Sequence, residues 1–362
     1  MDPQNQPDGL DLIIHGEVVE DSGQSLAPSP FEQLRLAGQA ANRAAAGGIF
    51  ADYISRRSQN TLRRQRADLR LFADFLARAG VQVNGDTLQE QAHLWRGITW
   101  GIIEAYKQWM LGEGYAVGSV NVRLSTIRTY ARLAFKAGAI SPDEHAQIRQ
   151  VAGFSRKEAR RVNQKRDQTR VGEKKAEATR LNPEQANALK NDQPDTPQGR
   201  RDALMMCLLL DHGLRCGEVA LLKVEHIDLD DGVLHFYRPK VDKEQTHKLT
   251  ADTLRAAYKW FMFGDAPPVA GKRLLRSSQK GGRLTSAGMS ERAITKRVRA
   301  LGEELGIDRL SAHDCRHYWA THAARSGTDP FALQEAGGWN SLVMPRRYVE
   351  EAKVANEGVK GF

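Results

Sequence analysis

The sequence predicts a mainly helical protein with one small antiparallel sheet, arranged as two domains joined by a basic connector. Three observations carry that reading. Apolar residues recur at helical spacing through residues 49–152 and again through 183–362. The turn Asp230-Asp231-Gly232, followed by the alternating Val233-Leu-His-Phe-Tyr-Arg, reads as a β-hairpin. Between the two helical regions, residues 153–182 carry almost no large apolar side chain and cannot build a core.

The first 48 residues are rich in Pro, Gln, Ser, Ala and Gly and read as a mobile arm. Its one apolar stretch, 10–19, fits either a strand or a segment that docks on a partner. In 49–152, Ser58 precedes a helix whose Leu62, Leu69, Phe72, Ala73 and Leu76 share a face, ended by Gly80. Arg63, Arg64, Arg66 and Arg70 lie opposite. A second helix, near 102–111, offers Trp109 and Met110 to a core. A third sets Leu124, Ile127, Ala131 and Ala134 against Arg128, Arg132 and Lys136. The basic stretch 153–182, with Arg160, Arg161, Lys165 and Arg166, is a linker or an exposed helix.

Asn182 and Pro183 mark a helix start, as N-cap and first helical residue. An apolar helix at 203–210 closes on Asp211-His212-Gly213, and a short helix follows Arg215. The hairpin then leads through a turn at 241–244 to a third strand, 245–249. Helices are expected at 252–263, 290–305, 313–326 and 330–337, with a last short helical stretch after Pro345 that contains Tyr348.

Composition narrows the function classes. No apolar run approaches the ~18 residues of a membrane span. Cys207, Cys216 and Cys315 lack metal-ligand spacing and cannot all pair, which suits a reducing, cytoplasmic compartment. The net charge of +9 points to a polyanionic partner. It is unevenly spread: residues 1–50 carry −5, 51–152 carry +5, 153–182 carry +6 and 183–362 carry +3. Basic faces on two helices beside a basic connector favour phosphate contact over ordinary solvation.

Four islands hold the chemistry: HGLRCGEVALL (212–222), YRPKVDKEQTHKL (237–249), LSAHDCRHYWATHAARSGTDPFALQEAGGW (310–339) and RRYVE (346–350). In order and spacing, Arg215 with Glu218, Lys240, His313 with Arg316, Trp339 and Tyr348 resemble the signature of the tyrosine recombinase or phage integrase family. The resemblance spans roughly residues 50–350, and Cys315 stands where Leu is usual.

The resemblance implies a two-domain DNA clamp, with a helical core-binding domain at 49–152 and a catalytic domain at 183–362. It implies Tyr348 as nucleophile, forming a 3′-phosphotyrosine, and Lys240 as proton donor to the departing 5′ oxygen, with Lys243 an alternative. Glu218 would orient the site. It further implies double-stranded DNA as partner, a homotetramer in the synapse with the tail 349–362 docking in trans, no membrane, and no metal or other cofactor.

The chemistry suits these residue types. Attack on a phosphodiester concentrates negative charge on the non-bridging oxygens. Arg215 and Arg316 offer paired N–H donors that stay charged, and the Trp339 indole adds one more. A phenol of pKa ~10 is scarcely ionised at pH 7, so His313 is the expected proton acceptor. Two other readings share these residues: a type IB topoisomerase, and a DNA-binding protein that has lost catalysis.

Overall fold

The structure is a computed structural model that describes residues 29–172, 175, 177–266 and 270–352. The chain divides into two compact units between residues 174 and 175. The apolar stretch 10–19 lies outside the described residues, as do tail residues 353–362.

The first unit is helical: α1 (Pro30–Ser55), α2 (Gln59–Arg78), α3 (Gly85–Glu90), α4 (Trp100–Gly112), α5 (Val117–Lys136), α6 (Pro142–Gln150) and α7 (Arg156–Gln164). Helix α1 corrects the expectation of an arm reaching residue 48. The Ser29 hydroxyl accepts the Glu32 N–H, Pro30 opens the first turn, and an alanine-rich interior sustains the helix although only Phe50 is buried. The expected face of α2 does turn inward, and so does that of α5. Between them sits an aromatic core in which Phe72 meets Tyr106 edge-on at 5.0 Å and Trp95 stacks on Tyr130 at 6.1 Å. Within the basic connector, α7 is closed by a capping box between Ser155 and Glu158 and buries no residue.

The second unit comprises α8 (Pro183–Asn191), α9 (Pro197–Leu210), α10 (Cys216–Leu221), β1 (Ile227–Asp228), β2 (Val233–Arg238), β3 (Lys243–Lys248), α11 (Ala251–Met262), β4 (Arg276–Ser278), β5 (Leu284–Gly288), α12 (Glu291–Glu304), α13 (Ala312–Arg325), α14 (Pro330–Gly337) and α15 (Val343–Ala352). Helix α9 is its centre, with every residue from Leu204 to Leu210 buried.

Among the described residues two sheets form where one is expected: β1-β2-β3, all antiparallel, and the separate pair β4-β5. The second pair is short and polar and has no alternating apolar pattern to announce it. Strand β3 begins at Lys243 because the turn is tighter than expected. Asp242 adopts φ 51° and accepts the Tyr237 hydroxyl at 2.5 Å. Pro345 falls inside the first turn of α15 rather than before it, a position a proline tolerates.

Candidate active site

Two glycine turns build the floor of the site. Gly213 (φ 60°) follows α9, and Gly338 (φ 59°) caps α14 in the left-handed region. A Cβ on Gly213 would lie 2.3 Å from the Trp319 ring, and one on Gly338 would lie 2.5 Å from the Arg238 side chain. Glycine is therefore needed at both places for conformation and for space.

Arg316, on α13, bridges the two turns. It donates to the Gly213 carbonyl at 2.5 Å and to the Gly337 carbonyl, and its guanidinium lies 4.6 Å over the Trp339 ring. Only 3% of it is exposed. Burial first, then repulsion from Arg215 and Arg238, lowers its pKa to about 9, so it is still a cation at neutral pH.

Arg215 is the N-cap of α10. Its guanidinium donates to Glu218 Oε1 at 2.6 Å and its backbone N–H to Oε2 at 2.8 Å. Burial opposes ionisation of Glu218. Arg238, with the N–H and guanidinium of Arg215, outweighs that and holds the carboxyl below its ordinary range.

Tyr348, on α15, is 1% exposed. Its ring meets His317 edge-on at 4.9 Å and Trp339 at 5.8 Å, while Trp319 stacks behind Trp339 at 6.0 Å. Arg215, Glu218, Arg316, Trp339 and Tyr348 thus form one cluster. His313 lies one turn before Arg316 on α13 and is exposed. Lys240 is exposed at the β2–β3 tip, and among the described residues no hydrogen bond or ion pair ties it to the cluster. Lys243 is committed elsewhere, to an ion pair with Glu335, which favours Lys240 as the lysine available to a substrate.

The sequence reading missed Arg238. It is fully buried, donates to Glu218 Oε2 at 2.6 Å and to the Ala336 carbonyl at 2.7 Å, and also bonds Gln245. Strand alternation was the available signal, because Leu234, Phe236 and Arg238 occupy the inward positions of β2. The α13 N-terminus is fixed as well. Buried Asp314 accepts the Ser311 N–H at 2.8 Å and the Thr179 N–H at 3.0 Å, and pairs with Lys175. Cys315 is fully buried in the core, where burial pushes its thiol well up.

The structure splits the basic candidates of the first unit. Arg64 pairs with Asp68, Arg70 holds Asp86 through two bonds at 2.7 and 2.8 Å, and Arg66 bonds Gln89. Arg128 donates to the Arg149 carbonyl and Arg166 to the Tyr115 carbonyl. These five serve the unit's own packing. Arg63, Arg132, Lys136, Arg160, Arg161 and Lys165 are exposed.

Residues 179–354 match the model of the phage integrase family. The second unit thus carries a phage integrase family domain, the domain of tyrosine recombinases. The chain is 36% identical over 141 residues to tyrosine recombinase XerC of Pseudomonas entomophila, covering 38% of this chain and 44% of that protein. Against XerC of Vibrio parahaemolyticus it is 24% identical over 292 residues, covering 80% and 82%. The chain thus spans about half the length of several relatives it matches and most of the length of others only at lower identity.

Among solved structures, a Tn1549 transposon integrase in complex with transposon right end DNA superposes with a TM-score of 0.57 at 15% identity, covering 84% of this chain and 94% of that one. A lambda integrase dimer bound to a COC′ core site gives 0.55 at 17% identity, covering 83% and 96%. At these identities the likeness shows the fold. Among the described residues, no helix is long and apolar enough to cross a membrane.

Proposed function

We propose that this chain is a site-specific DNA recombinase that cleaves and rejoins duplex DNA through a 3′-phosphotyrosine at Tyr348. The observation that carries the reading is the packing of Tyr348, through Trp339, against a buried arginine that also feels the charge of Arg215. A buried guanidinium packed beside a phenol, with Arg215 linked to it through Glu218, Arg238 and the adjoining carbonyls of Ala336 and Gly337, suits stabilisation of a phosphorane.

In the reaction, the Tyr348 oxygen bonds to phosphorus while the bond to the 5′ oxygen breaks. Arg215 and Arg316 neutralise the non-bridging oxygens, and each such donor is worth on the order of 3–4 kcal/mol in rate. His313 accepts the phenol proton, and Lys240, free to move at its hairpin tip, supplies one to the departing 5′ oxygen. A 5′ hydroxyl from a partner duplex then reverses the step, so the phosphoester energy is retained. Because Tyr348 is packed under Trp339 and His317, attack requires α15 to lift the ring out.

The exposed cations of the first unit would contact phosphates, and relatives crystallised on DNA, one of them as a dimer, support assembly of several copies on DNA. Three unpaired cysteines among the described residues suit action in the cytoplasm. The test incubates duplexes drawn from DNA flanking the gene with wild type and Tyr348→Phe, then runs a denaturing gel. An adduct from wild type alone supports the reading. An adduct from Tyr348→Phe contradicts it, and duplex binding without any adduct favours a silent binding protein.

A further inference from the structure

We propose that Arg238 is a positioning residue for the cleavage step, one that keeps Arg215 available to phosphate by taking up half of the charge on Glu218. The proposal rests on the strand-cleavage reading above. Two guanidiniums, Arg215 and Arg238, hold one buried carboxylate, and the partition between them is specific. Glu218 Oε1 accepts Arg215 Nη1, while Oε2 accepts the Arg215 backbone N–H and Arg238 Nη1.

Because Arg238 occupies Oε2, the Arg215 fork engages the carboxylate through a single nitrogen. Its other N–H donors are left for a substrate. With Arg238 neutralised, Oε2 would lose its only guanidinium partner. Arg215 is the nearest cation able to supply one, and a fork gripping both oxygens has fewer donors for phosphate.

The same side chain reaches the other arginine through the backbone. Arg238 Nη2 donates to the Ala336 carbonyl at 2.7 Å, and the next carbonyl, that of Gly337, accepts from Arg316. Gln245, across the hairpin, bonds both Arg238 and the Glu335 carbonyl. The hairpin bearing Lys240 is thereby seated on the end of α14, immediately before Trp339. A hydrophobic residue in place of Arg238 would fill the space and lose all of these links.

The experiment measures single-turnover adduct formation on a nicked duplex, chosen from gene-flanking fragments as one that wild type cleaves. Arg238→Met is expected to slow adduct formation about 100-fold while duplex affinity stays within about 3-fold. Adding Glu218→Gln to that variant removes the unbalanced anion and is expected to regain about tenfold, a rescue that a merely structural role would not give. An Arg238→Met rate near wild type, or a double variant no faster than the single one, overturns the proposal.

Should Arg238→Met fail to fold, Arg238→Lys replaces it. That variant keeps the charge without the two-pronged reach, so about a tenfold loss is expected, and an unchanged rate overturns the proposal. A wild type that makes no adduct on any flanking fragment overturns the strand-cleavage reading itself, a failure separate from any ranking of the variants.

Discussion

The two units place their arginines differently. The first hides an aromatic cluster and keeps its arginines outside, where they pair on the surface or stay exposed. The second hides arginines: Arg201, Arg238 and Arg316 are each at most 3% exposed. Stripping a guanidinium of water is costly unless it is paired and fully hydrogen-bonded. Arg201 is paired with Asp202, Arg238 with Glu218, and Arg316 lies between two turn carbonyls. Both units bury an apolar core, and the second also holds charge in fixed positions inside it. Preorganised charge in a dry site is what transition-state stabilisation needs.

The contrast can be broken first at the two cores. Phe72→Ala, at a fully buried ring among aromatics, is expected to destabilise the first unit by about 3–5 kcal/mol. Thermal unfolding with probes in each unit measures it, and equal loss in both units would contradict the division. Arg215→Ala is expected to lower the cleavage rate about 10²–10³-fold with little change in melting, because that side chain is a quarter exposed. A melting shift as large as that of Phe72→Ala would mean Arg215 is structural.

Acid sharpens the comparison. His212 and His247 lie in the second unit, and burial lowers both to a pKa of about 4. Between about 6.5 and 4 the unfolded chain binds protons that the folded one does not. Stability is therefore full above about pH 6.5 and declines as pH falls toward 4, by up to roughly 3 kcal/mol for His212 alone. Denaturant melts from pH 7 to pH 4 should show the second unit weakening, and His212→Asn should flatten the slope.

The smallest effects test the exposed cations. Lys243→Ala removes an exposed pair and is expected to cost under about 1 kcal/mol in stability, while Lys240→Ala should slow cleavage and leave melting alone. Arg132→Ala should leave stability within about 0.5 kcal/mol and reduce the salt dependence of duplex binding by about one unit of slope. Arg70→Ala, at a residue paired with Asp86, should change that slope less.

What was legible in the sequence follows the same line. Helix faces such as that of α2 show in periodicity, and the site residues show in their order along the chain. Arg238 did not, because its value comes from Glu218 and Ala336, partners 20 and 98 positions away. Nor did the engagement of Arg64 and Arg70, since a basic face reads alike whether or not carboxylates from α2 and α3 close over it. The β4–β5 pair and the start of α1 were missed because their side chains are mostly polar or small, and no burial pattern marks them.

The central claim is that Tyr348 attacks phosphorus. Trapping the wild-type adduct on a nicked duplex, digesting both components and sequencing the modified peptide by mass spectrometry tests it most directly. The account predicts a phosphonucleotide on Tyr348, joined to the 3′ end of the cleaved strand. A modification on any other residue, or linkage to a 5′ end, would contradict it.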